Sequence, residues 1–469
     1  MKRVAVLAVA VVVLLLLGLP AVLGMLTQTQ IEARVAALDA SELLKASLRS
    51  YERGWFHSRA RITLALAPQV IAKLDALGAA RGMASFAGTL DRRVPIEVEI
   101  AHGPLAVLDG VHFGWSQIVA RLDRQSSSVA GLEQMLGVPY AFEFRGHTAF
   151  GGAVAFAADL SPVDLTVEGA RVELSGAALA GTFADGRLVS AGRVDRFELT
   201  SPPGGVSIRN VRAATETTIR SAHVLPGATS LSIERVAIVD AARGGSPVFD
   251  ADKMRFASTI GLDPSEALLD LHATYDADSV FVDGTRVADA SLGVAVAKVD
   301  VAALDAYLAA ARAQPSDHPP TAEQKSAYGR LLAAGPSLVL DPVRFRVNEE
   351  PFTAHVEVAT NPAALPPAGA FDPEDPAELL PALRGVAMVD VSKKLARAIA
   401  VLATELRYND GSLTREQAHM LAEAQTGLML ATLVGQGILV DAGDTYRAEL
   451  RLGDGTLTLN GEALPLGGP

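Results

Sequence analysis

The chain has 469 residues, of which 49% are hydrophobic and 20% charged, and a formal net charge of −12. This composition supplies a hydrophobic core for two or three domains, and the negative charge disfavours binding to nucleic acid, so we expect no nucleic-acid partner. The absence of cysteine excludes disulfides, thiolate metal sites and a cysteine nucleophile.

The amino-terminal segment has the features of a membrane anchor. Lys2 and Arg3 precede an uncharged run over residues 4–26. As a helix this run extends for roughly 35 Å, which exceeds a hydrocarbon thickness of about 30 Å. Positive residues before a single span favour a cytoplasmic amino terminus. We therefore predict a transmembrane helix in residues 1–26 that carries the body outside the cytoplasm, with a cleaved signal peptide as the alternative.

Residues 27–57 are predicted to form an amphipathic helix and a corner. Ile31, Val35 and Leu38 recur at helical spacing, and Leu44 and Leu48 continue the pattern as a second helical segment. The segment contains too few heptads for a coiled coil, so we expect it to pack on its own domain.

The next predicted region, residues 58–320, alternates apolar and polar residues as β-strands do. Val163, Leu165 and Val167 alternate with Asp164 and Thr166, and turns rich in glycine and proline follow at short intervals. This pattern predicts a meandering antiparallel sheet that ends in a helix over residues 301–313, with Asp300 as its N-cap.

A second β/α region is predicted for residues 321–469. It contains a short helix, a strand pair over residues 337–347 and 352–359, helices over residues 392–406 and 414–433, and a closing hairpin. Residues 293–301 and 385–391 both end in Val-Asp-Val before a helix, so two related strand-then-helix units are expected. The predicted fold class is α+β and mostly antiparallel β, with a transmembrane helix, an elongated and curved multi-stranded sheet, and a few packed helices.

No catalytic or metal-binding motif accompanies these elements. The chain has no G-x-S-x-G, Walker or H-E-x-x-H pattern, and its nine histidines lie at least ten positions apart. We therefore expect a protein that is not an enzyme and that has no cofactor, metal or catalytic residues. An enzyme whose site is assembled from dispersed residues is the least favoured alternative.

A motif near the first strand resembles a known family. Residues 50–58 read SYERGWFHS, and five of them match the Y-x-R-G-x-F-x-S signature of the YdgA-like family, which is grouped as domain of unknown function 945. The matching residues are Tyr51, Arg53, Gly54, Phe56 and Ser58. We expect structural roles: Gly54 permits a helix-to-strand corner through a positive φ, Tyr51 and Phe56 hold that corner to the sheet, and Arg53 satisfies helix-end carbonyls.

A second motif extends the resemblance. His102, Gly103 and Pro104 resemble the family's His-Gly-Pro segment, and we expect a strand-ending turn in which the imidazole bonds a backbone group. The resemblance covers the chain end to end. It implies a bacterial inner-membrane protein with a periplasmic body, no established activity and no catalytic residues to carry over.

The balance of strands and helices suggests a function. The few predicted helices cannot cover a sheet of a dozen or more strands spaced about 4.8 Å apart. The leading hypothesis is that an apolar sheet face, with Leu165, Val167 and Leu174 among its candidates, binds lipid or another hydrophobic partner. The second hypothesis is a self-associating envelope scaffold, for example a homodimer, whose apolar faces are filled.

Overall fold

The computed structural model describes most of the chain after residue 27. The described residues are 28, 31–33, 35–36, 38–39, 44–79, 94–123, 142–167, 170–202, 204–220, 224–240, 246–282, 284–312, 321–365, 379–407, 415–453 and 455–464. They divide between two compact units, unit 1 (Met1–Pro202) and unit 2 (Pro203–Pro469). The predicted membrane anchor in residues 1–26 lies outside the described residues. Within the described part of the chain, no helix combines the length and hydropathy needed to cross a bilayer.

Unit 1 is built mainly from antiparallel strands. Its elements are β1 (Leu44–Arg53), β2 (His57–Leu66), α1 (Pro68–Ala79), β3 (Val94–His102), β4 (Leu105–Val107), β5 (Val111–Phe113), β6 (Ser116–Leu122), β7 (Phe142–Thr148), β8 (Val154–Leu160), β9 (Val163–Val167), β10 (Ala170–Leu174), β11 (Ala177–Ala184) and β12 (Arg187–Ser201). The sheet runs in the order β1, β2, β3, β6, β7, β8, β11 and β12, and β4 and β5 form a separate hairpin. The predicted antiparallel meander is confirmed.

The strands β8 to β11 form one interrupted hairpin. β8 pairs with β11, and β9 pairs with β10 in the same register. Ser161-Pro162 separates β8 from β9, and Ser175-Gly176 separates β10 from β11 at the same level. Pro162 has no backbone N–H to donate to a neighbouring strand. Gly176 has a φ of +103°, a conformation that favours glycine. Leu160 and Val163 flank the interruption, so the apolar alternation shifts by one position across it.

The hydrophobic core of unit 1 lies under its first strands. Ala60, Val98 and Ile100 are buried together, and Ile31 and Tyr51 pack against them. The described residues between 28 and 39 are helical, as predicted.

The predicted helical segment at Leu44 and Leu48 is wrong, because both residues lie in β1. A spacing of four residues fits one helical turn and two strand repeats equally well. The buried Ala46 between them shows that the two-residue repeat applies here.

Unit 2 is a longer antiparallel meander with two helical insertions. Its elements are β13 (Gly204–Thr218), β14 (Gly227–Asp240), β15 (Pro247–Leu262), β16 (Leu268–Val282), β17 (Thr285–Asp300), α2 (Val301–Arg312), α3 (Ala322–Ala333), β18 (Ser337–Val347), β19 (Glu350–Thr360), β20 (Leu383–Ser392), α4 (Lys393–Arg407), α5 (Arg415–Gly435), β21 (Val440–Asp441), β22 (Thr445–Gly453), β23 (Thr456–Leu459) and β24 (Glu462–Leu464). Consecutive strands pair from β13 to β20, and β22, β23 and β24 continue the order beyond β20.

Each helical insertion follows a strand and returns to an adjacent antiparallel strand. The α2–α3 pair joins β17 to β18, and the α4–α5 pair lies between β20 and β22. Asp300 accepts a hydrogen bond from the N–H of Ala303 at 2.7 Å, and Ser392 accepts one from the N–H of Leu395 at 3.0 Å. The two strand-then-helix units expected from the Val-Asp-Val sequences are therefore confirmed, with an N-terminal cap in each. Because β17 and β18 pair across residues 301–336, the boundary expected at 320/321 lies inside unit 2.

Candidate functional site

The motif residues near the first strands meet around a buried histidine. Nε2 of His102 lies 2.8 Å from Oγ of Ser58, and the two buried side chains share a hydrogen bond. The bond therefore goes to a side chain and not to the predicted backbone group. Burial, and secondarily the nearby His57, lowers the pKa of His102. Among the described residues, no group bonds Nδ1 of His102.

The serine–histidine pair lies at the end of β3. His102 is the last residue of β3, and Gly103 and Pro104 connect it to the next hairpin, so the predicted strand-ending turn is confirmed. Gly103 has φ +116°, a conformation that favours glycine. Because Ser58 and His102 are both buried, the pair is well placed to join β2 to β3.

Gly54 is required at the β1–β2 connection for a reason that differs from the prediction. Its φ is not in the left-handed region. A Cβ built on Gly54 would lie 2.1 Å from the carbonyl oxygen of His57, so the constraint is a close backbone approach. The connection joins two strands, so the helix-to-strand corner and the helix-end role of Arg53 are wrong. Tyr51 packs on the core, whereas Phe56 is exposed.

A second candidate surface follows from the strand registers of unit 2. The nine aligned residues of one cross-strand row, from β13 to β22, are all polar or charged. This row is Arg212, Ser232, Arg255, Asp276, Ser291, Arg344, Thr353, Asp390 and Arg447. Nη2 of Arg447 lies 2.8 Å from Oδ2 of Asp390. This side of unit 2 therefore carries a continuous polar row.

The neighbouring rows contain no charged side chain. Because side chains alternate between faces, these rows lie on the side opposite the polar row. The first row is Ala213, Leu231, Phe256, Tyr275, Leu292, Val343, Ala354, Val389 and Ala448. The second row is Thr215, Thr229, Ser258, Ala273, Val294, Leu340, Val356, Ala387, Leu450 and Leu459. The third row is Thr217, Gly227, Ile260, Leu271, Val296, Leu338, Val358, Gly385, Leu452, Leu457 and Leu464. We call these three rows the apolar face.

Most side chains of the apolar face are half-buried and are not enclosed in a core. Of all the side chains in its three rows, only Ala273 is buried. Leu231 is 36% exposed and Tyr275 is 48% exposed. The described helices α2 and α3 pack on β17, and α4 packs on β19, β20 and β22. A sheet face enclosed in a core would bury its large side chains, so this face can accept an apolar ligand or partner.

Residues with a left-handed backbone conformation shift the apolar alternation by one residue along the strands. Asn210, Lys253 and Asp289 have φ of 49°, 49° and 50° on the alternate strands β13, β15 and β17. In β15 the apolar positions are Phe249 before Lys253 and Phe256 after it, so the alternation shifts by one residue. Such a residue changes the direction in which the following side chains point. The apolar side chains before and after it can therefore lie on one face.

Polar contacts between neighbouring strands accompany the left-handed positions. Nδ2 of Asn210 donates to Oε2 of Glu234, and Nζ of Lys253 lies 2.7 Å from Oδ2 of Asp278. The Lys253 ammonium holds the pKa of Asp278 below its usual range.

Sequence reasoning anticipated an apolar sheet face but placed it elsewhere. Leu174 is half-buried in unit 1, and the side chains of Leu165 and Val167 lie outside the described set. The apolar face was missed although the alternation at Leu269, Leu271, Ala273 and Tyr275 is a readable signal. In β17 the apolar alternation shifts by one residue at Asp289, so the same pattern is interrupted in the sequence.

Comparison with known proteins adds a family but no activity. A family model described as a bacterial protein of unknown function (DUF945) matches residues 1–467. This match confirms the resemblance that the motifs around Tyr51 and His102 indicated. No curated protein and no solved structure matches the chain.

Proposed function

The chain belongs to this bacterial family of unknown function, and we propose that it binds lipid acyl chains on the apolar face of unit 2. In this proposal residues 4–26 form a transmembrane helix in the bacterial inner membrane. The amino terminus is cytoplasmic and the body is periplasmic. The protein carries out no catalysis and uses no cofactor.

The observation that carries the proposal is an apolar face that spans many strands without a charged side chain. Its first row crosses nine strands, from β13 to β22. At about 4.8 Å per strand this row is roughly 38 Å long, more than twice the ~15 Å thickness of one hydrocarbon leaflet. An extended acyl chain therefore fits along the row.

The chemistry of the face also favours acyl chains. Leucine, valine, isoleucine and alanine dominate the rows, and none of these side chains offers a polar group to a ligand. Contact with such a surface removes apolar area from water, worth about 25 cal/mol per Å². That driving force has no directional requirement, which suits flexible hydrocarbon chains of varied length.

The proposal is tested with a photo-crosslinking amino acid introduced in living cells. Tyr275 and Thr274 are adjacent exposed residues of β16 that lie on opposite faces. We expect crosslinks to phospholipid from position 275 and none from the matched position 274. Crosslinks from position 275 to a second copy of the chain would instead support the self-associating scaffold, and equal labelling of lipid from both positions would refute a specific lipid face.

A further inference from the structure

The β4–β5 hairpin of unit 1 exposes an apolar face of its own. Leu105 pairs with Phe113, and Val107 pairs with Val111. All four side chains are exposed, Val111 by 62% and Phe113 by 74%, whereas the intervening Ala106 is buried against the protein. The hairpin therefore directs its apolar side chains away from unit 1.

Other exposed apolar side chains lie at the same end of the sheet. Trp55 and Phe56 are in the connection between β1 and β2, and Phe150 follows β7. The indole N–H of Trp115 donates to the carbonyl of Phe150 at 2.9 Å, and the two rings meet edge to face with centroids 5.3 Å apart. The strand registers bring these connections to the end where β3 finishes and β6 begins.

Buried polar contacts hold the hairpin in place. The amide of the buried Gln117 donates to the carbonyl of Asp109 at 2.9 Å and accepts from the N–H of Leu108 at 3.0 Å. A Cβ at Gly114 would lie 2.2 Å from the carbonyl oxygen of Thr148, so the base of the hairpin lies against β7. The apolar residues are thus presented on an ordered support.

The first described helical residues lead toward this end of unit 1. The carboxylate of Asp39 accepts from the N–H of Ala46 near the start of β1. Ile31 packs on the core of Ala60, Val98 and Ile100, and Ala60 pairs with Tyr51 near the end of β1. The chain between residues 39 and 28 therefore runs toward the β1–β2 connection that carries Trp55. The uncharged run over residues 4–26 ends two positions before Gln28, the first described residue.

We propose that this end of unit 1 inserts into the periplasmic leaflet of the membrane that anchors the chain. We call it the apolar end, formed by Trp55, Phe56, Leu105, Val107, Val111, Phe113 and Phe150. The proposal rests on the proposed anchor, because the run over residues 4–26 would tether the body at this end. Tryptophan, phenylalanine and leucine are the residues that bind the interfacial region of a bilayer. Insertion covers side chains that are otherwise exposed to water.

A fluorescent label tests this insertion in the full-length protein. The chain has no cysteine, so Val111→Cys provides a single labelling position for an environment-sensitive nitrobenzoxadiazole probe. Thr166→Cys is the matched control, because Thr166 is also exposed and lies about 40 Å along the β8–β9 strand from Val154 at the apolar end. Both variants are placed in nanodiscs of phosphatidylethanolamine and phosphatidylglycerol with a fraction of doxyl-labelled lipid.

We expect the doxyl lipid to quench the probe at position 111 several-fold more strongly than at position 166. The same measurement with Leu105→Cys on the neighbouring strand should agree. A probe at position 111 that remains as accessible to aqueous iodide as the control would overturn the insertion. Shielding from iodide without quenching by doxyl lipid would indicate a protein contact and would also overturn it.

A separate fractionation distinguishes this result from failure of the anchor. If alkaline carbonate releases the full-length protein from membranes, the anchor is refuted and the insertion with it. If the protein is retained and only the label at position 111 stays in water, the insertion fails while the anchor stands.

Discussion

The most constrained residues of the family motif act through burial and close backbone contact. His102 and Ser58 share a buried hydrogen bond, and Gly54 lies where a Cβ would meet the carbonyl oxygen of His57. The first feature joins β2 to β3, and the second lies in the connection between β1 and β2. Their contribution is to stability and to the position of the connections at this end of the sheet.

The buried imidazole predicts a dependence of stability on pH. Because burial lowers the pKa of His102, the folded protein keeps the ring neutral where the unfolded chain, with a pKa near 6.5, already binds a proton. The stabilisation is therefore present above about pH 6.5 and is lost as the pH falls below it. One such group changes the free energy of unfolding by at most about 1.4 kcal/mol per pH unit.

Denaturant unfolding between about pH 5 and 7 measures this effect. In His102→Gln, which keeps a hydrogen-bonding side chain and does not titrate, we expect a smaller decrease in stability toward low pH. The slope is compared with that of the unmodified protein, so a uniform loss of stability in the variant does not interfere. An unchanged slope would show that His102 does not contribute to the pH dependence.

The close approach at Gly54 predicts a cost for the smallest side chain. We expect Gly54→Ala to lower the free energy of unfolding by about 1–3 kcal/mol, because the backbone at His57 has to move. Gly151→Ala is the matched control, since a Cβ at Gly151 has no neighbour within 4 Å among the described atoms. Equal stability of the two alanine variants in thermal or denaturant unfolding would contradict the close approach.

At the scale of elements, strong local patterns predicted the structure well. The capped helices α2 and α4, the strand pair β18–β19 and the closing hairpin were all anticipated, because each combines a regular period with a turn or cap signal. Helix α1 was not anticipated, since twelve residues that begin at Pro68 interrupt an otherwise β-rich region. The segment at Leu44 was assigned to a helix because its spacing fits both periods.

Other elements depend on contacts that local patterns do not contain. The left-handed residues Asn210, Lys253 and Asp289 shift the apolar alternation within single strands, and their alignment appears only once the strands are paired. The same holds for the pairing of β17 with β18 across a helical insertion. For the candidate sites, the sequence identified His102 and Ser58 but not their contact, because 44 residues separate them.

In the molecule as a whole, each of the two units carries an apolar surface of a different kind. In unit 2 the apolar face carries no charge, whereas the opposite side of the sheet has a polar row that includes the Arg447–Asp390 ion pair. Unit 1 has an apolar end formed by the connections between its strands. In our proposals the apolar end meets the bilayer and the apolar face holds the lipid.

Lipid binding on the apolar face can be measured as the amount of phospholipid that remains bound to the purified full-length protein. Mass spectrometry of the extracted lipid would compare Tyr275→Asp/Leu338→Asp, which places two carboxylates on the apolar face, with Thr274→Asp/Val339→Asp, which places them on the opposite face. We predict bound phospholipid in the unmodified protein and in the second variant, and its loss in the first. Equal lipid content in the two variants, or no bound lipid in the unmodified protein, would refute lipid binding on the apolar face.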